Sequence, residues 1–173
     1  MNIPQAMTEA VRLQARRQFT QAESLYRTIL AAAPYHTDAL LRLGILCGQT
    51  GRLDAAIDLL KQLISQQPQS PEAHYNLGIA LTGKQRLDEA TAAFQQAIAL
   101  KPDYAEAWNN LGYVQNLRSD RQAATAAYQK AIALRPDQPQ AYVNLGNVLR
   151  DISRFDESIV AYRAAISRKS DSA

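Results

Sequence analysis

Cysteine is nearly missing from this chain. Cys47 is the one thiol in 173 residues, so an intramolecular disulfide and a cysteine metal cluster are both excluded. Histidine is scarce too, with only His36 and His74. No stretch approaches the roughly 18 consecutive apolar residues of a membrane-spanning helix. The opening MNIPQAMTEAVRLQ has no charged start followed by an apolar core, so it does not read as a secretory signal. A strong charge of either sign is also lacking: 19 basic and 16 acidic residues are interspersed and leave a net charge of +3. A nucleic-acid binder would show a basic stripe. The nearest feature, Arg12, Arg16 and Arg17, reads as the solvated face of an early helix. The expectation is a soluble cytoplasmic protein with neither nucleic acid nor membrane among its partners.

What the chain does have is a period. Pro34, Pro68, Pro102 and Pro136 follow one another at intervals of 34 residues, and so do Gly44, Gly78, Gly112 and Gly146. Ala22, Ala56, Ala90 and Ala124 keep the interval, with Ser158 in the fifth place. The series Tyr26, Leu60, Phe94, Tyr128 and Tyr162 keeps it as well. A fixed interval of this size marks stacked supersecondary units. Five units are expected, over residues 3–36, 37–70, 71–104, 105–138 and 139–170, forming one array over 3–170 with no second domain.

Within a unit, apolar residues recur at helical spacing, as in Trp108, Leu111 and Val114, then Ala124, Ala127, Tyr128, Ala131 and Ile132. Short polar turns such as GQTGRLD, GKQRLD and RSDR separate the two runs. Each proline closes a second helix, because it lacks an amide hydrogen and restricts the residue before it. Two helices per unit give ten helices in five pairs and no sheet. The repeated glycine costs about 1 kcal/mol inside a helix relative to alanine. It is expected on the packed face, where it lets the second helix approach with Ala124 as small partner to Gly112. The same pairing is expected for Gly44 with Ala56, Gly78 with Ala90 and Gly146 with Ser158.

Trp108, Leu111, Gly112, Ala124, Tyr128, Ala131 and Pro136 in the fourth unit resemble the tetratricopeptide repeat. So do Leu77, Gly78, Leu81, Ala90, Phe94, Ala97 and Pro102 in the third. The resemblance covers nearly the whole chain. It implies an all-α, right-handed solenoid of five helix-turn-helix units. First helices would line a concave groove, and the work would be protein binding. Two places depart from the family. The first unit has Ala6, Glu9 and Ala10 where a large residue, Leu and Gly are preferred, which suits an N-terminal cap. The fifth has Ser170 in place of the closing proline, and the solvating helix that many family members add is not seen. The outer side of helix 155–168, with Ile159, Tyr162 and Ile166, is therefore expected to be uncovered and to offer self-association through the last repeat, unless the chain is one end of a longer protein.

With Trp108, Leu111 and Gly112 on the packed face, the angular count puts Glu106, Asn110 and Tyr113 on the opposite, inner face, flanked by Asn109, Asn116 and Leu117. The inner face of the third unit takes Glu72, Tyr75, Asn76, Ile79, Thr82 and Gly83. That of the fifth takes Gln140, Val143, Asn144, Asn147, Arg150 and Asp151, and that of the second takes Asp38, Leu41, Arg42, Ile45, Gly48 and Gln49. A primary amide both donates and accepts. Asn76, Asn110 and Asn144, with Asn109 and Asn147 beside them, are thus candidates to hold an extended peptide backbone. Tyr75, Ile79, Tyr113 and Leu117 would choose its side chains. The bland alternative is that these amides bond to the neighbouring repeat or face water. The asparagines also resemble those of the superhelical glycosyltransferases that modify Ser and Thr with N-acetylglucosamine, which implies contact with a substrate backbone. Arg42 and Thr8 interrupt that series.

A clamp for C-terminal carboxylates is excluded. The basic and amide positions that the resembled family uses for it hold Leu41, Ile45 and Glu106 when counted from the second unit, Tyr75 and Ile79 when counted from the third, and Met7, Val11 and Glu72 when counted from the first. Nor is a catalytic group apparent. His74 stands where Trp108 stands one unit later and reads as packing, His36 lies in a loop and reads as solvated, and Cys47 falls on a packed face. No glycine loop suits a phosphate, because each repeated glycine sits inside a helix. Asp88–Glu89 and Asp156–Glu157 open second helices, where acids favour the helix dipole. The expected function is a non-catalytic interaction module that needs no cofactor or metal and binds a protein or peptide. Two alternatives stand beside it: the substrate-recognising arm of a larger, glycosyltransferase-like enzyme, and a self-assembling scaffold.

Overall fold

The computed structural model describes residues 2–170. Ten helices account for nearly all of them: α1 (Ile3–Ala15), α2 (Phe19–Ala32), α3 (Thr37–Gln49), α4 (Leu53–Gln66), α5 (Pro71–Gly83), α6 (Leu87–Leu100), α7 (Ala105–Leu117), α8 (Arg121–Leu134), α9 (Pro139–Asp151) and α10 (Phe155–Ser170). No strand occurs among the described residues, so the fold is all-α, as the period requires. Odd-numbered helices are the first helices of units and even-numbered ones the second. The chain divides into two compact units, Met1–Gln85 and Arg86–Ala173, described separately below.

The turns inside the hairpins share one device. Arg17, Gly51, Gln85, Ser119 and Ser153, 34 residues apart, all have φ between 59° and 77°. The left-handed residue turns the chain out of the first helix. Its N–H returns to a carbonyl three residues back, as Ser119 N does to Asn116 O at 3.0 Å, and the next N–H reaches five back, as Asp120 N does to Gln115 O at 2.9 Å. This is the Schellman closure. Arg17 therefore lies in a turn and not on the face of α1 with Arg12, which is bonded to Glu9 at 2.7 Å.

Second helices stop by another route. Ala33, Gln67, Lys101 and Arg135, each before a proline, adopt φ between −132° and −142° with ψ between 77° and 87°. The proline ring forces its predecessor out of the helical region. α10 meets no such proline and runs for 16 residues, against 14 in the other second helices. The first helices α1, α3 and α5 begin on side-chain caps. Ser70 Oγ accepts from Ala73 N at 3.2 Å ahead of Pro71, and His36 Nδ1 accepts from Ala39 N at 3.2 Å. His36 is thus half-buried in a capping role rather than solvated.

In the first unit α1 packs on α2, α2 on α3, α3 on α4 and α4 on α5, with α3 and α5 side by side. Tyr26, Ile29, Leu40, Leu43, Leu46, Leu60 and Leu63 are fully buried there. Each such side chain contributes about 1.5–3 kcal/mol on leaving water. Cys47 is buried in this core, and desolvation pushes its thiol pKa upward, away from the nucleophilic form. In the second unit α6 packs on α7, α7 on α8, α8 on α9 and α9 on α10, with α7 and α9 side by side. Tyr128, Leu145, Val148, Leu149 and Ala161 share one cluster.

The glycines meet the ring-series side chains more closely than the small residues expected beside them, although a Cβ on Gly44 would also stand 3.7 Å from Ala56 O. A Cβ on Gly112 would stand 2.9 Å from the Tyr128 ring, one on Gly146 2.7 Å from the Tyr162 ring, and one on Gly44 3.0 Å from Leu60 Cγ. The glycine makes room for the ring-series side chain four residues beyond the small residue. Ala124 is buried in the same core, and Ser158 does face its glycine, donating from Oγ to Gly146 O at 2.8 Å. His74 holds the structural place expected of it. Its Nε2 lies 2.9 Å from Pro68 O, as Trp108 Nε1 donates to Pro102 O at 3.0 Å and the Tyr142 hydroxyl to Pro136 O at 3.1 Å. Three different ring donors, one interval apart, tie a first helix to the corner before it.

Candidate peptide-binding face

Every residue proposed for peptide binding from the sequence reaches solvent. Tyr113, Ile79 and Leu117 are exposed. Asn76, Asn109, Asn110, Asn144, Asn147 and Tyr75 are half-buried. The helical count sets Asn109 and Tyr113 opposite the buried Leu111, and Tyr75 and Ile79 opposite the buried Leu77, while Asn76, Asn110 and Asn144 border the buried Ala73, Ala107 and Val148.

The amides are not equivalent. In the first unit, Asn76 Nδ2 donates to Glu72 O of its own helix at 2.8 Å, and its Oδ1 has no hydrogen-bond partner among the described residues. In the second unit, Asn144 Nδ2 donates to Asn109 Oδ1 at 3.2 Å, joining α9 to α7, and Asn144 Oδ1 accepts from Gln140 Nε2 at 3.0 Å. Asn147 Oδ1 accepts from the Tyr162 hydroxyl at 2.7 Å. Asn110 is likewise engaged within the protein. The structure thus brings Asn109 and Asn144 together, ties Asn147 to α10, and leaves Tyr113 and Leu117 as exposed apolar groups on α7. In this unit one amide bond joins neighbouring repeats, Asn144 to Asn109, and the bonds of Asn147 to Tyr162 and of Asn144 to Gln140 stay within one repeat.

A recess stands next to Asn76. Gly44, Ile45, Gly48 and Gln49 of α3, Leu60 of α4, and Asn76 and Ile79 of α5 enclose a hollow of about 240 Å³. A wider one of about 660 Å³ adjoins it, lined by Val11, Gln14, Arg17, Phe19, Arg42, Ile45 and Gln49. Ile45 and Gln49 belong to both. A polar chain braces the wider hollow: the Tyr26 hydroxyl donates to Gln14 Oε1 at 2.8 Å, and Gln14 Nε2 to Gln49 Oε1 at 3.4 Å. Arg42 is held by Asp38 at 2.9 Å. Ile45, Gly48 and Gln49 fell on the expected inner face but outside the expected binding set. The signal for the recess was Gly48 itself. Later units carry Thr82, Asn116 and Arg150 at this place, and a Cβ on Gly48 would meet nothing within 4 Å.

The residues that repeat also match a known sequence family. Tetratricopeptide repeat profiles cover residues 13–77 and 139–172, and a TPR repeat profile covers 80–116 and 120–153. The chain belongs to the tetratricopeptide repeat family. No curated protein matches it in sequence. Among solved structures, MamA is 29% identical with a TM-score of 0.87, covering 94% of this chain and 95% of its own. TTC0263, a thermophilic TPR protein of Thermus thermophilus, is 24% identical with a TM-score of 0.76 over 96% of this chain and 91% of its own. PilF of Pseudomonas aeruginosa is 18% identical with a TM-score of 0.87 over 96% and 76%. The last two likenesses concern the fold.

As a tetratricopeptide repeat protein the chain is a protein-interaction scaffold. Among its described residues no helix is long and apolar enough to cross a membrane, and no cluster of three or more His, Cys, Asp or Glu could hold a metal.

Proposed function

We propose that this repeat protein is a non-catalytic module that holds an extended peptide against its first helices, anchored at the recess between α3 and α5. The observation that carries this reading is the pairing of Asn76, whose carbonyl oxygen has no internal partner, with the adjoining hollow under Ile45, Gly48 and Ile79. The amide oxygen takes a peptide N–H while the hollow takes an apolar side chain. Asn109 and Asn144, in the second compact unit, have less to offer a guest, because each already bonds the other.

Selection from a displayed random-peptide library tests the reading. Enriched peptides carry an apolar residue that Ile79→Arg rejects, and Asn76→Ala weakens them about fivefold, the loss of one hydrogen bond of about 1 kcal/mol. Enrichment that both substitutions leave unchanged places the site elsewhere.

A further inference from the structure

The two ends of the repeat series differ in chemistry. Where α3 buries Leu43 and Leu46, α1 has Glu9 and Arg12, joined as an exposed ion pair. Where α3, α5, α7 and α9 bury Ala39, Ala73, Ala107 and Ala141, α1 has exposed Gln5. The first helix thus closes its own end with polar groups.

α10 does the opposite. Ile159 is 47% exposed, whereas its counterparts Ile57, Thr91 and Thr125 are 3%, 8% and 7% exposed. Phe155 and Ile166 are 58% and 69% exposed. Their counterparts in α4 are covered: Leu53 lies under Gly83 of α5, and Ile64 packs with the cluster of Leu40, Leu63 and Ala73. The apolar stripe of α10 is therefore the surface that, earlier in the chain, receives the first helix of the next unit. Tyr162 was expected on this uncovered side, but its ring packs over Gly146 and its hydroxyl bonds to Asn147, so it borders the stripe half-buried.

We propose that this stripe is covered by the same stripe of a second copy, with the two α10 helices antiparallel about a twofold axis. Three observations select that occupant. First, a head-to-tail contact would set the exposed Glu9–Arg12 pair of α1 on the apolar stripe, an uncompensated desolvation. Second, the spacing of Phe155, Ile159, Tyr162 and Ile166 is 4, 3 and 4, which reads the same in both directions. At about 100° per residue the four lie within about 60° of one line. An antiparallel copy therefore sets Phe155 over Ile166 and Ile159 over Tyr162, twice each. Phe155 of the second copy then reaches the hollow of about 640 Å³ between α9 and α10, lined by Val143, Tyr162, Ala165 and Ile166. Third, Asp156 and Arg163, both exposed, flank the stripe on one side, a heptad apart. Antiparallel pairing puts the acid of each copy beside the base of the other, whereas parallel pairing sets these flanks on opposite sides of the seam and leaves both charges without that partner. The contact is isologous, so it closes at two copies.

Sedimentation equilibrium of the full chain over a range of concentrations tests this. A reversible monomer–dimer equilibrium is expected, with nothing larger. Ile159→Asp and Ile166→Asp should each weaken it at least about tenfold. Both sites are exposed, so helical circular dichroism should stay unchanged. Asp156→Arg and Arg163→Asp should each weaken the dimer several-fold, and the double variant should restore it to within about threefold. A monomer at every concentration overturns the proposal, as does assembly beyond two copies or association indifferent to Ile159→Asp. A double charge variant no better than either single one overturns the antiparallel register.

Discussion

At the scale of single residues, the repeated glycine shows how a local cost is offset by a contact. Gly112 loses about 1 kcal/mol of helix propensity against alanine, yet a Cβ there would stand 2.9 Å from the Tyr128 ring. Overpacking of this kind costs about 1–3 kcal/mol. Gly112→Ala should therefore be destabilising by about 1 kcal/mol net, lowering the melting temperature by about 2–4 °C. Gly48→Ala is the control, because its Cβ would meet nothing within 4 Å. Thermal melting should show it unchanged or stabilised by up to about 1 kcal/mol, while peptide affinity falls as the hollow fills. The charged residues give a second test. Arg52 grips Glu23 through two bonds of 2.5 and 2.7 Å, and this holds the Glu23 carboxyl at about 2, below its ordinary 4.5. A depressed carboxyl stabilises the fold above its unfolded pKa and loses that contribution as pH falls through the folded one. Urea midpoints measured from pH 5 down to pH 2 should decline for the native chain and decline less for Glu23→Gln. The difference should be about 1 kcal/mol, since Arg52 is partly solvated.

At the scale of the helical element, nearly all of the architecture is legible in the sequence. Pro34, Pro68, Pro102 and Pro136 mark where second helices stop because proline acts on its immediate predecessor, and no distant contact is needed. The hairpin turn is less legible. Of its five left-handed residues only Gly51 is glycine, so the residue types conceal a conformation that the period alone reveals. A non-glycine residue in that region is strained by roughly 1–2 kcal/mol, partly offset by the greater entropy glycine loses on folding. Ser119→Gly should raise stability by about 0.5–1 kcal/mol, read as a higher denaturant midpoint at unchanged slope. His36 illustrates the limit of local reading. A histidine seldom caps a helix, and its role appears only once Ala39 N is seen 3.2 Å from Nδ1.

At the scale of the whole molecule, the proposed peptide site and the proposed dimer face use different chemistry and separate in their response to salt. Peptide binding rests on amide hydrogen bonds and an apolar hollow, so raising ionic strength from about 0.05 to about 0.5 M, which shrinks the Debye length from more than about 10 Å to less than about 5 Å, should change its affinity by less than about twofold. Dimerisation keeps its apolar stripe under the same change, while the benefit of the Asp156–Arg163 arrangement fades; calorimetric titration and sedimentation report the two separately. The amino-acid sequence by itself determined the number and pairing of the helices, because period, proline placement and helical spacing act within some 34 residues. Tertiary structure decided which amide keeps an acceptor for a guest, which ring each glycine admits, and which end is left apolar. Those outcomes depend on which side chains meet at a few ångströms once the helices pack, and a repeat places such positions without fixing which neighbour satisfies them.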